Sequence, residues 1–385
     1  SCINGNTSQA GPCIRRNESV RDRTRTPWNL LVVVVLAWAP CTLAQDYPHS
    51  PVIADVVIED TRDISFGDGD NFPMTWADDG KLYTMYCDGV GFDDISLDRW
   101  NSNGFAELVG TPPNVQGKNI PSPDMEFGGG GRKGRKASGL VCIKGVLYAL
   151  VRNLKTDGTG TSLFWSTDKG TSWTEAEWNW PEIGLADWLN MGRDYCENND
   201  GYAYLIAHNG DDAYEIYDSF MMARVPIDRI TEKGAYDYFA GWSGDKPLWS
   251  RNLSDRQPVF TAPGKCYRPN LVYNPGIQRF LLITLPWNSK GDHDRYLGLF
   301  DAPHPWGPWS IAAEKTDFVE ARYHPRIPSK WISRDGLTFW YNFSVLAPGN
   351  KTRYRFNLEK AVIKLRDSGT TNHREVPFSE TNPKK

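Results

Sequence analysis

No stretch of this 385-residue chain reaches the roughly 20 consecutive apolar residues that a bilayer-spanning helix needs, so a polytopic membrane protein is excluded. Long segments with apolar residues at a 3.6-residue period are missing too, which argues against a helical domain. Histidine is scarce: the six present include no HExxH pair, and the cysteines include no CxxC half-site, so zinc is not expected. A formal net charge of -4 gives nucleic acid no general attraction. Nor is this a core-poor, mainly disordered chain, since 40% of it is hydrophobic and 23% charged. What it has in abundance is glycine, proline and tryptophan, at 35, 26 and 16 residues, which fits a turn-rich, aromatic-rich β protein.

Arg15, Arg16, Arg21, Arg23 and Arg25 precede an apolar run from Leu30 to Pro40, and Thr42-Leu43-Ala44 puts small residues at the two cleavage-determining positions before Gln45. This layout reads as a secretory signal peptide over residues 1–44, the run being too short for an anchor. Pro40 before Cys41 speaks against a lipoprotein signal. Cleavage brings the formal charge to about -7 and frees the protein from the membrane. It leaves Cys87, Cys142, Cys196 and Cys266 in an oxidising compartment, where two disulfides with three connectivities are open. The polar string 366–385 lacks apolar periodicity and is expected to be a disordered tail. Residues 45–365 then form a single domain.

Within that domain one pattern recurs: an apolar stretch, a short glycine turn, then a strand of aromatic and branched residues. It runs over Trp76–Tyr83, Val141–Tyr148, Glu197–Tyr204, Val272–Phe280 and Ile332–Phe339, with turn glycines Gly80, Gly145, Gly201, Gly276 and Gly336. The intervals, roughly 65, 56, 75 and 60 residues, are those of propeller units. Further strand signals follow each hairpin, at Ile95–Leu97, Ser162–Trp165, Met221–Val225, Tyr296–Phe300 and Arg355–Leu358, with outer strands at Trp173–Trp178 and Trp309–Ala313. An all-β, five-bladed propeller is the economical fold, because radial repetition protects sheet edges. A β-sandwich is the runner-up. Ser166–Trp173 has the form of an Asp-box, a structural turn of sialidase-like propellers.

In such a fold the innermost strands converge on a central funnel, so the residues before the hairpins are the site candidates. Asp70, Asn71 and Asp88 come from blade one, and Lys136 and Arg152 from blade two. Blade three brings Asp187, Asn190, Arg193, Asp194 and Tyr195, blade four Tyr267 and Arg268, and blade five Tyr323, His324 and Lys330. Carboxylates facing Lys, Arg, Tyr and His are what glycosidic hydrolysis uses, one acid protonating the leaving oxygen and one carboxylate acting as base or nucleophile. Asp70 with Asp194 is the expected pair, Asp88 and Asp187 being substitutes. Elimination across a uronic acid would instead use Tyr195, His324, Lys330, Arg193 and Arg268. Trp180, Trp188, Trp242, Trp249 and Trp306 are the tryptophans that could stack on sugar rings. Gly129–Gly134 matches G-x-G-x-x-G without the crossover helix that gives the match its mechanism, so it reads as a loop, and its basic cluster of Arg132, Lys133, Arg135 and Lys136 as solvated. Asn252, Asn342 and Asn350 are glycosylation acceptors in a eukaryotic host.

Several of these segments also carry a family likeness. Asp70–Asp78, Cys87–Phe92, Gly134–Gly139, Ser166–Trp173, Ala223–Arg229, Gly264–Arg268 and Phe300–Trp309, in that order, resemble the widespread, mostly uncharacterised family of secreted bacterial five-bladed propellers that includes endo-D-arabinanases. The resemblance spans about residues 65–345. It implies a propeller of the glycoside-hydrolase type with a polysaccharide substrate. Among related hydrolases, acidic residues on the inner strands of the first three blades act together; here blade two presents Lys136 instead, which keeps the lyase alternative in view. The expectation is therefore a secreted, monomeric, endo-acting hydrolase that binds polysaccharide. Asp70 would be base or nucleophile and Asp194 acid, with Asn71, Lys136, Arg152, Asn190, Arg193, Tyr195, Tyr267, Arg268, His324 and Lys330 around the substrate. No cofactor or catalytic metal is called for, a structural calcium stays open, and a non-catalytic glycan-binding propeller is the reading from another class.

Overall fold

The computed structural model describes residues 46–59, 64–93, 100–285, 296–315, 323–347, 349 and 353–367; the expected signal peptide and nearly all of the expected tail lie outside them. Five antiparallel sheets follow one another along the chain and form a five-bladed β-propeller. Their innermost strands are Asp68–Asp70, Lys136–Ile143, Ala186–Trp188, Asn270–Asn274 and Tyr323–Arg326, and each blade builds outward through antiparallel partners. Blade one continues inward strand Asp68–Asp70 with Met74–Trp76, and both pair with Leu82–Gly91. Blade three is the largest: Asp237–Ser243 and Lys246–Ser250 form an added outer hairpin, and Phe260–Cys266 also pairs with Tyr217–Pro226.

All five expected hairpins link an innermost strand to its neighbour. Gly80, Gly145, Gly201 and Gly336 sit at φ of 75–82°, the left-handed region where glycine carries no steric penalty. Gly276 is needed for a different reason: a Cβ there would stand 2.2 Å from the backbone of Asp335, in the adjacent turn of blade five. The other expected strands lie within Thr161–Ser166, Tyr217–Pro226, Leu297–Ala302 and Tyr354–Leu365, apart from a one-residue offset at Tyr296. Blade one differs. Its third strand is Asn101–Thr111, and the expected Ile95–Leu97 lies outside the described residues.

Blade five is completed by a strand that precedes blade one in the sequence. Ile53–Glu59 pairs with Tyr354–Leu365, and Arg366, placed by the sequence at the start of the tail, donates its N–H to Val52 O at 2.9 Å. Apolar layers fill the spaces between blades. Tyr83 and Phe105 of blade one meet Leu140 and Phe164 of blade two, and Phe72 of blade one meets Phe356 of blade five. Trp180 and Trp188 belong to the layer beside blade three, and Leu281 and Ile283 meet Phe339 and Tyr341 between blades four and five. Neither of the two disulfides left open by the sequence forms: Cys87, Cys142 and Cys266 are buried thiols and Cys196 an exposed one. Asn342, a sequon residue, is fully buried in blade five and closed to glycosylation, whereas Asn252 sits on an exposed turn. Asn350 lies outside the described residues.

At the axis the blades meet through polar groups. Arg326 of blade five is ion-paired with Asp187 of blade three and donates to Asn71 Oδ1 of blade one at 2.9 Å and to Ser138 O of blade two at 2.8 Å. Asp187 also accepts from Asn270 of blade four at 3.0 Å, while Asn270 Oδ1 accepts from the Ile327 N–H at 2.9 Å. Burial pushes the Asp187 carboxyl upward, and the Arg326 charge with the donated hydrogen bonds pulls it back. Removing one partner strands the other in a water-poor interior. Asp187→Ala is expected to cost about 3–5 kcal/mol in denaturant unfolding; a loss below about 1 kcal/mol would mean that the axial pair does not hold the blades.

Candidate active site

The inner strands all run away from one end of the axis, here called the mouth. Lys136, Arg268 and His324 lie at or beside their starts, Asp70 ends Asp68–Asp70 before Met74–Trp76 continues that blade's inner edge, Arg152 and His208 end the second strands of their blades, and Asp88 lies three residues before the end of Leu82–Gly91. Register fixes these neighbours: Asp70 pairs with Cys87, next to Asp88, and Lys136 pairs with Arg152. Lys136 Nζ stands 3.0 Å from Asp88 Oδ1. Lys136, Arg152, Arg268 and His324 are each 2% exposed or less, and Asp70 is 7% exposed, so this is a nearly dry floor.

Burial dominates the electrostatics. It raises the Asp70 carboxyl to about 7, the Asp88 charge pushes the same way, and Arg152, Lys136 and Arg268 oppose both. The same burial acts oppositely on bases, pushing His208 down to about 3 and His324 well below the usual imidazole range, with Arg268 the next cause for each. Both rings are neutral. Because Arg326 donates to Asn71 Oδ1, the His324 Nδ1 facing that oxygen carries the hydrogen, and Nε2 presents a bare lone pair with no partner among the described residues.

Asp70 Oδ1 likewise has no hydrogen-bond partner among the described residues, and neither do Nε and Nη1 of Arg152 and of Arg268. Arg268 Nη2 donates to Tyr323 Oη at 3.0 Å. The guanidiniums of Arg152 and Arg268 lie 5.2 and 5.4 Å from the centre of the Tyr214 ring. Tyr267 is buried under Arg268, its ring 4.7 Å from that guanidinium. The glycine loop also belongs here: Gly131 O accepts from Lys136 Nζ at 2.8 Å, Tyr214 Oη at 2.8 Å and Asn153 Nδ2 at 3.2 Å. Five of the eleven non-glycine residues at positive φ among the described residues lie at this end, Asn71, Asp88, Asn153, Arg268 and His324, all between 48° and 64°. Such backbone persists only where its surroundings over-determine it.

The far end of the propeller holds the rest of the expected set. Asp194 Oδ1 accepts from the Gly145 N–H at 2.8 Å, in the turn after the inner strand that begins at Lys136. That strand separates Asp194 from the mouth by about 20 Å. The expected pairing of Asp70 with Asp194 is thereby corrected, since no glycosidic bond reaches both. Arg193 donates to Asp78 O, Lys330 Nζ donates to Gly80 O at 2.7 Å, and Tyr195 is buried with its hydroxyl accepting from the Tyr204 N–H at 3.2 Å. Asn190 stitches blades, donating to Leu140 O at 3.0 Å and accepting from the Tyr273 N–H. Asn71 and Asp187 belong to the axial hub beneath the mouth. Lys136 is buried rather than solvated, and Arg135 is held by Glu175.

Tyr214 and Arg326 were missed. Arg326 follows His324 at the strand period of two, a signal that was there to read; Tyr214 sits in a loop with no periodicity to mark it. None of the five tryptophans named above is among the residues placed at the mouth; Trp180 and Trp188 are buried between blades, and the Arg224 guanidinium covers Trp249 at 4.2 Å. Asp78, Cys142 and Asp194 gather at the far end at metal-ligand spacing. The Lys169 ammonium stands 2.5 Å from Asp78 and supplies a cation beside this cluster.

No protein-family model matches the chain, and no curated protein does. Solved structures that resemble it include a GH43_1 enzyme from Xanthomonas citri, at 12% identity, TM-score 0.44, and coverage of 82% of this chain and 92% of that one. The exo-beta-1,3-galactanase from Phanerochaete chrysosporium, solved with beta-1,3-galactotriose, shows 10% identity and a TM-score of 0.45 over 79% and 64%. The alpha-L-arabinofuranosidase from Podospora anserina, in complex with cellotriose, shows 9% and 0.42 over 83% and 97%.

The raised Asp70 has a consequence for stability. Between about pH 4 and 7 the folded protein keeps a proton on Asp70 that the unfolded chain has released, so this group costs stability as pH rises through that window. Asp70→Asn is expected to gain roughly 2–4 kcal/mol relative to the parent between pH 4 and 7.5, read by denaturant unfolding at both. Parallel pH dependence of the two proteins would contradict a buried, protonated Asp70.

Proposed function

We propose that the protein is a glycoside hydrolase that cuts a polysaccharide at the mouth of the propeller, with Asp70 as general acid and Asp88 as base or nucleophile. The observation that carries this reading is the unequal pair of carboxyls on one blade: Asp70 is buried, has no partner on Oδ1 among the described residues and is raised to about 7, while the neighbouring Asp88 is ion-paired with Lys136. Two carboxyls with environments pushed apart are the arrangement that divides acid from base work. Asp70 delivers its proton to the departing glycosidic oxygen as the bond breaks, and Asp88 assists attack at the anomeric carbon, directly or through water. The likeness of seven ordered segments to the secreted endo-D-arabinanase-containing family, and the expected signal peptide, support a secreted enzyme with an extended glycan substrate.

His324 favours a second reading. Its bare Nε2 near Arg268 is what elimination across a uronate would use, the imidazole taking the proton next to a carboxylate that a guanidinium neutralises. Products separate the two, because elimination leaves an unsaturated uronate absorbing in the ultraviolet and hydrolysis leaves a reducing end alone.

For hydrolysis, Asp70→Asn is expected to lower kcat/KM by about 10²–10⁴-fold on the cleaved glycan, and the parent's kcat/KM to fall above about pH 7 as Asp70 loses its proton. Asp194→Asn, at the far end, should turn over like the parent. Full activity in Asp70→Asn, or a loss in Asp194→Asn at unchanged thermal stability, would sink the assignment.

A further inference from the structure

The ion pairs at the mouth leave a charge imbalance. Lys136 is matched by Asp88, and Arg353, 2.6 Å from Asp68, is matched by that carboxylate. Arg152 and Arg268 remain, two guanidiniums 1% and 2% exposed, facing Asp70 as the one carboxyl left over among the described residues. Asp70 is part-protonated at neutral pH and cannot balance both. Each arginine also has Nε and Nη1 without a hydrogen-bond partner among the described residues. A buried cation with open donors is costly unless an anion meets it, and the planar guanidinium fork matches carboxylate and sulfate oxygens in bidentate fashion.

We propose that the substrate is an anionic saccharide, and that Arg152 and Arg268 hold its carboxylate or sulfate group beside the Tyr214 ring. The inference rests on the glycan-cutting reading of the same mouth, but its content is separate: it concerns which glycan enters rather than what happens to it. The Tyr214 ring lies within 5.5 Å of both guanidiniums, carries Arg132 at 4.7 Å from its centre as well, and is anchored through its hydroxyl to Gly131 O, so it fixes where the two arginines stand. Neutral glycans would leave the four open donors unmet and so bind weakly.

The test is calorimetric binding of the whole protein to three probes, an oligogalacturonate, a sulfated galactan oligosaccharide and an uncharged galactan oligosaccharide, with reducing ends and ultraviolet absorbance followed in parallel. At least one charged probe is expected to bind tenfold or more tightly than the uncharged one, with affinity falling as salt rises. Which charged probe wins distinguishes carboxylate from sulfate. Arg152→Gln and Arg268→Gln should each lose tenfold or more, with Arg268→Lys recovering part of the loss; should the glutamine variants not fold, the salt dependence and the charged-to-neutral ratio of the unaltered protein decide. Equal affinity for charged and uncharged probes, or no binding of either charged probe, overturns the proposal. Cleavage of uncharged galactan without preference for charge would do so while leaving the hydrolase reading in place. A charged probe that binds through both arginines but is never cut would support the proposal and remove the hydrolase.

Discussion

Arg326 enters the axis from the last blade and touches a group from each of the first three, while its partner Asp187 reaches the fourth. A propeller has no single core; its apolar layers lie between neighbouring blades and give each blade two contacts but no view of the others. The buried pair with Asn71, Ser138 and Asn270 supplies the contact common to all five. Its net worth in free energy is modest, because desolvating two charges offsets most of their attraction. Its geometric worth is greater: a planar guanidinium with directed donors accepts few arrangements of five strand starts, so it selects one ring geometry among those that apolar packing alone would tolerate.

That rigidity is what lets the mouth be uncomfortable. Asn71, Asp88, Asn153, Arg268 and His324 sit in backbone conformations that non-glycine residues avoid, and the floor holds cations, a part-protonated acid and an unpartnered imidazole nitrogen. One cause, exclusion of water, lifts Asp70 and depresses His208 and His324 together. The polar atoms are therefore set before any ligand arrives, which is the condition under which fixed charges act strongly on a reacting group.

The fold was legible because it repeats. Five glycine turns at near-even spacing, each between apolar stretches, report local chemistry that does not depend on what packs above them. Candidate residues were legible to within a strand, and the choice between ends was not. Asp70 and Asp194 both adjoin inner strands, but Asp70 closes Asp68–Asp70 and pairs with Cys87 at the mouth, whereas Asp194 lies beyond the end of Ala186–Trp188, and a sequence offers no sign of which end of a short strand faces a ligand. Blade three's inner strand is only three residues long, and Asp194 lies six residues beyond its end. Lys136 shows the opposite limit: within a glycine-rich basic loop it looked solvated, and only the approach of Asp88 from another strand explains its burial. The cysteines failed for a similar reason, because pairing depends on distances that spacing along the chain does not report.

Closing blade five with the strand Ile53–Glu59 sets an order on synthesis. Glu59 meets its partner Lys360 across 301 residues, so the strand that completes the ring is made before the other blades and must wait for a partner made after them. At translation speeds of about 5–20 residues per second that wait lasts roughly 15–60 s, during which an apolar strand with open backbone groups has no native neighbour. The middle blades, whose strands all adjoin in sequence, are under no such delay. The ring therefore closes only once Tyr354–Leu365 has been made, and until then Ile53–Glu59 is a ribbon without its native neighbour.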